Sequence, residues 1–268
     1  MKNVFTFLLL LFSLLCNGQS PKLFTTDKEL SSSLINQIYQ DRNGFIWIAT
    51  EDGLNRYDGA KFTIYKHEPN NEHSLAHNFV RTVFEDSKGH LLIGTYIGIQ
   101  MYDPATDNFT PLAKLEDTGE TLESNINSFI ERKNGEIWVS GNVLCKLDIK
   151  DHLLTVRKVD IAVTSPGSLF EDKKQNVWMA KGEEGVYQLT PDNQLTLHLS
   201  KDNGYVKSIC EDQRGNIYVG SIRKGLFIYD KERKTFVPVD LKEKGELPVC
   251  FLYSGPQNEL YIGTDGKG

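Results

Sequence analysis

The stretch Asp212-Gln213-Arg214-Gly215-Asn216-Ile217-Tyr218-Val219-Gly220, followed by Gly225-Leu226 and Tyr229-Asp230, decides the fold. It reads as a tight turn closed by glycine, a strand anchored by an aromatic ring, and a further strand ending in Tyr-Asp. The phrase recurs as Asp41-Arg42-Asn43-Gly44-Phe45-Ile46-Trp47-Ile48-Ala49-Thr50, with Gly53-Leu54 and Tyr57-Asp58. It recurs again as Asp86-Ser87-Lys88-Gly89-His90-Leu91-Leu92-Ile93-Gly94-Thr95, with Gly98-Ile99 and Tyr102-Asp103. Looser copies centre on Gly135-Glu136-Ile137-Trp138, on Asp172 to Trp178, and on Asn258 to Thr264. The anchors Trp47, Leu92, Trp138, Trp178, Tyr218 and Tyr261 step by 45, 46, 40, 40 and 43 residues. Such a period, carried by short strands, marks propeller blades. No window sustains a helical period, which excludes helical repeats.

Each repeat predicts four strands. In the second they are Phe79–Glu85, Leu91–Thr95, Ile99–Asp103 and Phe109–Ala113. Adjacent apolar pairs such as Val83-Phe84, Phe129-Ile130 and Ile209-Cys210 predict strands covered on both faces, as stacked blades require. Ala49, Gly94, Ser140, Ala180, Gly220 and Gly263 share one register and are all small, which predicts close approach of neighbouring backbones there. The aromatic anchors are expected in the core between blades rather than on a sugar-stacking platform. The fold class is all-β, a propeller of four-stranded blades with about six repeats, the last incomplete.

The 268 residues are 39% hydrophobic and 25% charged, with a formal charge of −6. That is an ordinary globular composition, and its acidity argues against a nucleic-acid partner. Residues 1–18 read as a signal peptide: Lys2, an apolar run from Val4 to Leu15, then a small polar cleavage region. The mature chain, 19–268, starts at Gln19 on this reading and is exported. Cys16 as a lipidated residue is the alternative. The apolar run of 12 is short of the about 20 residues that span a bilayer, and no later stretch is longer. Cys145, Cys210 and Cys250 are too few for a disulfide framework and are expected as packed thiols.

The repeat resembles the two-component regulator propeller. The residues that carry the likeness are Leu30-Ser31-Ser32-Ser33, then Ile38 through Gly59, then Phe62 to Tyr65, with Ser74-Leu75 and Asn78 in the following linker. The resemblance runs from about Leu23 to Gly268. It implies the N-terminal sensor region of a hybrid two-component system histidine kinase. Such chains carry two propellers, a membrane helix and a kinase, in bacteria that use complex polysaccharides. None of the downstream parts occurs in this sequence, which is expected to be the opening fragment of such a sensor. The parent would be anchored in the inner membrane, with this region in the periplasm. Two copies depart from the repeat: Arg132 replaces the turn aspartate and Gln175 the turn glycine.

No Gly-x-Ser-x-Gly elbow, P-loop, His-Glu-x-x-His or calcium-loop spacing occurs. No enzyme activity, cofactor or metal is expected. His73 and His77 lack the glutamate of a zinc site and are expected in exposed linker. The once-per-blade aspartates are expected to cap turns. One column is a candidate ligand site. Five residues before each turn lie Asn36, Arg81, Asn127, Gly167, Lys207 and Cys250. Asn36, Arg81, Asn127 and Lys207 are the candidates to ring the mouth of the axial channel and bond a sugar or an acidic sugar, against the alternative reading of solvated channel polar groups. The long inter-blade loops Glu68–Asn78 and Lys114–Asn125 are the other candidates. The expected partner is a soluble periplasmic ligand, an oligosaccharide on this reading, together with self-association or the missing C-terminal propeller. The competing readings are an exported propeller glycoside hydrolase or lyase, and a stand-alone interaction scaffold.

Overall fold

The computed structural model describes residues 23–26, 29–199, 204–241 and 247–266; segment 1–18, expected as a signal peptide, lies outside them. The described residues contain strands and turns and no helix. Blade 1 comprises β1 (Ile35–Gln40), β2 (Ile46–Thr50), β3 (Gly53–Tyr57) and β4 (Phe62–Tyr65). Blade 2 has β5 (Val80–Glu85), β6 (Leu91–Thr95), β7 (Ile99–Asp103) and β8 (Asn108–Phe109). A two-residue strand, β9 (Lys114–Leu115), follows. Blade 3 has β10 (Ser128–Glu131), β11 (Ile137–Ser140), β12 (Leu144–Lys150) and β13 (Leu153–Lys158). Blade 4 has β14 (Leu169–Glu171), β15 (Val177–Lys181), β16 (Gly185–Leu189) and β17 (Leu195–Leu199). Blade 5 has β18 (Val206–Glu211), β19 (Ile217–Ser221), β20 (Gly225–Asp230) and β21 (Thr235–Pro238). The last sheet has β22 (Val249–Ser254) and β23 (Leu260–Thr264).

Within each blade the strands pair antiparallel in chain order. The first strands β1, β5, β10, β14, β18 and β22 each neighbour the next, as the inner strands of a propeller do. Two ends of the molecule are thereby distinguished. The turn face carries the Asp-x-x-Gly turns. The loop face carries the start of every inner strand, the turns between second and third strands, and the inter-blade connections.

Blade 2 departs from its expected fourth strand. Regular pairing ends at Phe109 because the Met101 N–H donates to the Thr110 hydroxyl at 3.0 Å, and because Pro111 has no N–H to give. The chain then leaves blade 2, and β9 pairs parallel with β13 on the outer edge of blade 3. A fifth strand there was not expected from the repeat.

The anchors Trp47, Leu92, Trp138 and Trp178 are buried between blades, so the core reading of this column holds for them. The small column is a close approach. A Cβ on Gly94 would lie 2.5 Å from Thr82 and 2.6 Å from Ile126 of blade 3; one on Gly220 would lie 2.5 Å from Val249 of the last sheet. Cys145 and Cys210 are buried in apolar clusters, and burial pushes their thiols up to about 11 and about 12. Cys250 is only partly buried.

Candidate functional site

The turn aspartates are structural. Asp41 Oδ1 accepts the N–H groups of Asn43 and Phe45, and its Oδ2 accepts the Trp47 indole N–H at 2.8 Å. Asp172 repeats the arrangement with Lys174, Asn176 and Trp178. These carboxylates cap a turn and fix the anchor of their own blade, and that occupies both oxygens. On the same face a recess of about 210 Å³ is lined by two ion pairs, Asp86 with His90 at 2.7 Å and Glu136 with Lys146 at 2.5 Å, together with Lys88, Asp148 and Arg157.

The column singled out in the sequence falls at a β-bulge. Pairing skips between Ile35 and Gln37, Val80 and Thr82, Val206 and Ser208, and Val249 and Phe251. Asn36, Arg81, Lys207 and Cys250 are therefore the extra residues of four inner strands. Bulges re-aim a side chain out of the ladder. Asn127, just before β10, matches them, because its N–H donates to Ser140 O, the partner of Ser128.

The four candidates behave differently. Asn36 Nδ2 donates to Val80 O at 2.8 Å, and Asn127 Nδ2 donates to Pro166 O at 3.1 Å. Both amides tie their blade to the start of the next one. Arg81 lies with its guanidinium over the Phe79 ring at 5.9 Å, and Lys207 is exposed. Neither forms an ion pair among the described residues. Asn36, Arg81 and Asn127 sit on consecutive blades; Lys207 is separated from them by blade 4, which offers only Gly167 at this register.

The loop face is where open space and open polar groups coincide. A cleft of about 660 Å³ lies between blades 2 and 3, lined by Tyr96, Ile97, Leu112, Glu123, Asn125 and Asn142 among others. A second hollow of about 590 Å³ adjoins it, sharing Ile97, Leu112 and Thr121 and reaching His67, Glu72 and Lys114. The two long inter-blade loops form its walls. They are held firmly: Gln100 bonds Ser74 O, Ala76 N and Thr110 O, and Ser124 Oγ accepts the Asn142 N–H at 2.9 Å. His77 is not a free linker side chain. It is half-buried, its Nδ1 accepts the Phe79 N–H at 2.9 Å, and its ring lies 5.6 Å from that of Tyr96. Neither Tyr96 nor its turn was singled out in the sequence; Asn125 is the last residue of a loop that was.

Three segments, residues 29–52, 74–96 and 200–223, match the family model described as two component regulator propeller. The first two span an inner strand, its turn and the second strand, in blades 1 and 2; the third takes in the same parts of blade 5. Histidine kinase P4 of Formosa agariphila is 37% identical over 83 residues, 28% of this chain and 6% of that protein. Among solved structures, the extracellular domain of a one component system of B. thetaiotaomicron has a TM-score of 0.70 at 18% identity, over 92% of this chain and 36% of that one. That of a hybrid two component system from the same organism has a TM-score of 0.59 at 19% identity, over 92% and 41%. Virginiamycin B lyase of Staphylococcus aureus has a TM-score of 0.65 at 12% identity, over 90% and 80%. The chain thus spans a small part of its curated relative and about two fifths or less of the two sensor domains. The structural likenesses, at these identities, establish the propeller fold and leave ligand and reaction open. Blades, turns and family match agree for the three matched segments, which are two-component regulator propeller repeats set in a chain of four-stranded propeller blades.

Proposed function

We propose that this chain is the ligand-sensing propeller region of a hybrid two-component sensor, working in the periplasm on a soluble, glycan-derived ligand. On this reading it binds and does not catalyse, and phosphotransfer belongs to other parts of a longer, membrane-anchored parent. The observation that carries the reading is the asymmetry of the two faces. The turn aspartates and the inner-strand glutamates of the turn face hold turns, anchors and neighbouring blades around a recess of about 210 Å³, whereas the loop face keeps the larger clefts, of about 660 and 590 Å³. A rigid propeller with an open loop face suits recognition. A ligand would act by favouring one arrangement of the sensor region, since only differential affinity shifts such an equilibrium. Arg81 and Lys207 in the bulge column and the two long loops are the groups available for it.

The test is calorimetric titration of the chain against a panel of oligosaccharides, with chromatography of the same mixtures. Saturable binding with the sugars recovered intact is expected. Cleavage products would replace this reading with the hydrolase or lyase one, and absence of binding to every sugar would remove the glycan ligand.

A further inference from the structure

The cleft between blades 2 and 3 has a chemistry of its own. Tyr96 sits in the turn between β6 and β7 and is 53% exposed. Its ring is braced by His77 at 5.6 Å and Phe79 at 6.1 Å, and its N–H donates to Phe79 O at 3.0 Å. The ring is thus oriented before any ligand arrives, which lowers the entropy lost on binding. Across the cleft lie Glu123 and Asn125. Asn125 Oδ1 is buried and has no hydrogen-bond partner among the described residues. A buried acceptor left without a donor costs about 1–3 kcal/mol, so rotation of the Asn125 amide to meet a donor in the cleft would be favoured. The wall that carries it is fixed, because Ile126 N–H donates to Thr95 O at 3.0 Å and Ser124 N–H to Ile97 O at 3.2 Å. The Glu123 carboxylate and the Tyr96 hydroxyl make no hydrogen bond among the described residues. No Lys, Arg or His lines this cleft.

We infer that this cleft is the binding site for an uncharged oligosaccharide, stacked on Tyr96 and donating hydroxyls to Asn125 Oδ1 and Glu123. This rests on the glycan-sensing reading and goes beyond it in site and in charge class. An aromatic platform with acceptor oxygens suits a ring that is apolar on its face and rich in O–H at its edge. A carboxylate with no cation beside it disfavours uronic or sulfated sugars. The volume, about 660 Å³, falls within the about 300–1,000 Å³ of small-molecule sites.

The experiment titrates the 268-residue chain with neutral hexaoses (cello-, xylo-, laminari- and mannohexaose) and with oligogalacturonate and chondroitin sulfate oligosaccharides. The variants are Tyr96→Ala, Tyr96→Phe, Glu123→Gln, Arg81→Ala and Lys207→Ala. At least one neutral hexaose binds more tightly than either acidic probe. Tyr96→Ala weakens that binding about tenfold or more, and Tyr96→Phe stays within a few-fold, the sizes expected of one aromatic platform. Glu123→Gln narrows the gap between neutral and acidic probes. Because Tyr96 lies on an exposed turn, thermal melting is expected to be unchanged, which separates lost binding from lost fold. Tighter binding of an acidic probe would overturn the inference. So would binding that survives Tyr96→Ala but is lost in Arg81→Ala or Lys207→Ala, which would leave the sensing reading intact and return the site to the bulge column. If no sugar binds, the glycan reading itself falls, and this site with it.

Discussion

Arg132 stands where the repeat calls for an aspartate, and the site around it shows how the loss is made good. The Trp138 indole N–H, without its aspartate, donates to Glu136 Oε2 at 3.0 Å. The Arg132 guanidinium lies over the Trp138 ring at 4.6 Å and bonds Glu171 of the next blade at 2.9 Å, while Lys146 bonds Glu136. Burial opposes the charged form of Glu136, but the hydrogen bonds from Lys146, Asn134 and Trp138 outweigh it and hold its carboxyl at about 2, against an ordinary 4.5. A depressed carboxylate adds stability above its unfolded pKa and loses it as pH falls through its folded one. The stability gap between the wild type and Glu136→Gln is therefore full above about pH 4.5 and shrinks toward pH 2, measured by urea unfolding across that range. Trp138→Ala is expected to cost about 3–5 kcal/mol, as large core truncations do. Gln175, in place of the turn glycine, keeps the turn at a φ of 67°. Replacing it with glycine relieves left-handed backbone strain and is expected to gain up to about 1 kcal/mol in the same assay. Both departures were visible in the sequence. Their compensation was not, because Glu136, Lys146 and Glu171 meet only once three strands and two blades are in place.

One tie between blades recurs on the turn face. In blades 1 to 4 the backbone N–H just after the turn aspartate, or after Arg132 in its place, donates to the last glutamate of the next inner strand. Arg42 bonds Glu85 at 2.8 Å, Ser87 bonds Glu131 at 2.7 Å, Lys133 bonds Glu171 at 2.7 Å and Lys173 bonds Glu211 at 3.1 Å. Arg42 and Arg132 add side-chain bonds to the same carboxylates. Glu171→Ala removes both donors' acceptor and is expected to destabilise by about 1.5–3 kcal/mol, the range for hydrogen bonds to a charged group. A double-mutant cycle with Arg132→Ala should show coupling, whereas purely additive effects would deny the tie. Blades 1 and 2 share a second clamp. Arg56 lies 5.2–5.7 Å from the rings of Phe45, Trp47, Tyr65 and Tyr102, and Asp107 accepts from Arg56 at 2.9 Å and from both tyrosines at 2.6 Å. These glutamates stand at a constant offset, directly before the turn residue, but that offset does not reveal which neighbour they face.

Across the whole molecule, the alternation of the inner strands explains which surfaces stay open. The position of Val83, Phe129, Leu169, Ile209 and Leu252 packs toward the preceding blade and is buried; its counterpart in blade 1, Ile38, is 61% exposed. The next position packs toward the following blade, and in the last sheet Tyr253 is 54% exposed, beside exposed Phe251 and Tyr261. Two apolar sheet faces of this kind favour association. Sedimentation velocity of the chain is expected to show concentration-dependent self-association, reduced by Phe251→Ser with Tyr253→Ser. A monomer at all concentrations would contradict this. Because blades touch mainly their neighbours, stability should be close to a sum of blade and interface contributions.

The sequence by itself determined the repeat, its register and the small and aromatic columns, because a strand period of two and a fixed turn chemistry act within a few residues of each other. It also located the bulge column and the two long loops. Only the tertiary structure decided that Asn36 and Asn127 bridge blades, that β9 leaves blade 2 for blade 3, and that Tyr96, Glu123 and Asn125 face one cleft. Those residues come from a strand turn of one blade and the connection to the next. Their meeting depends on how two blades pack, and no local spacing encodes it.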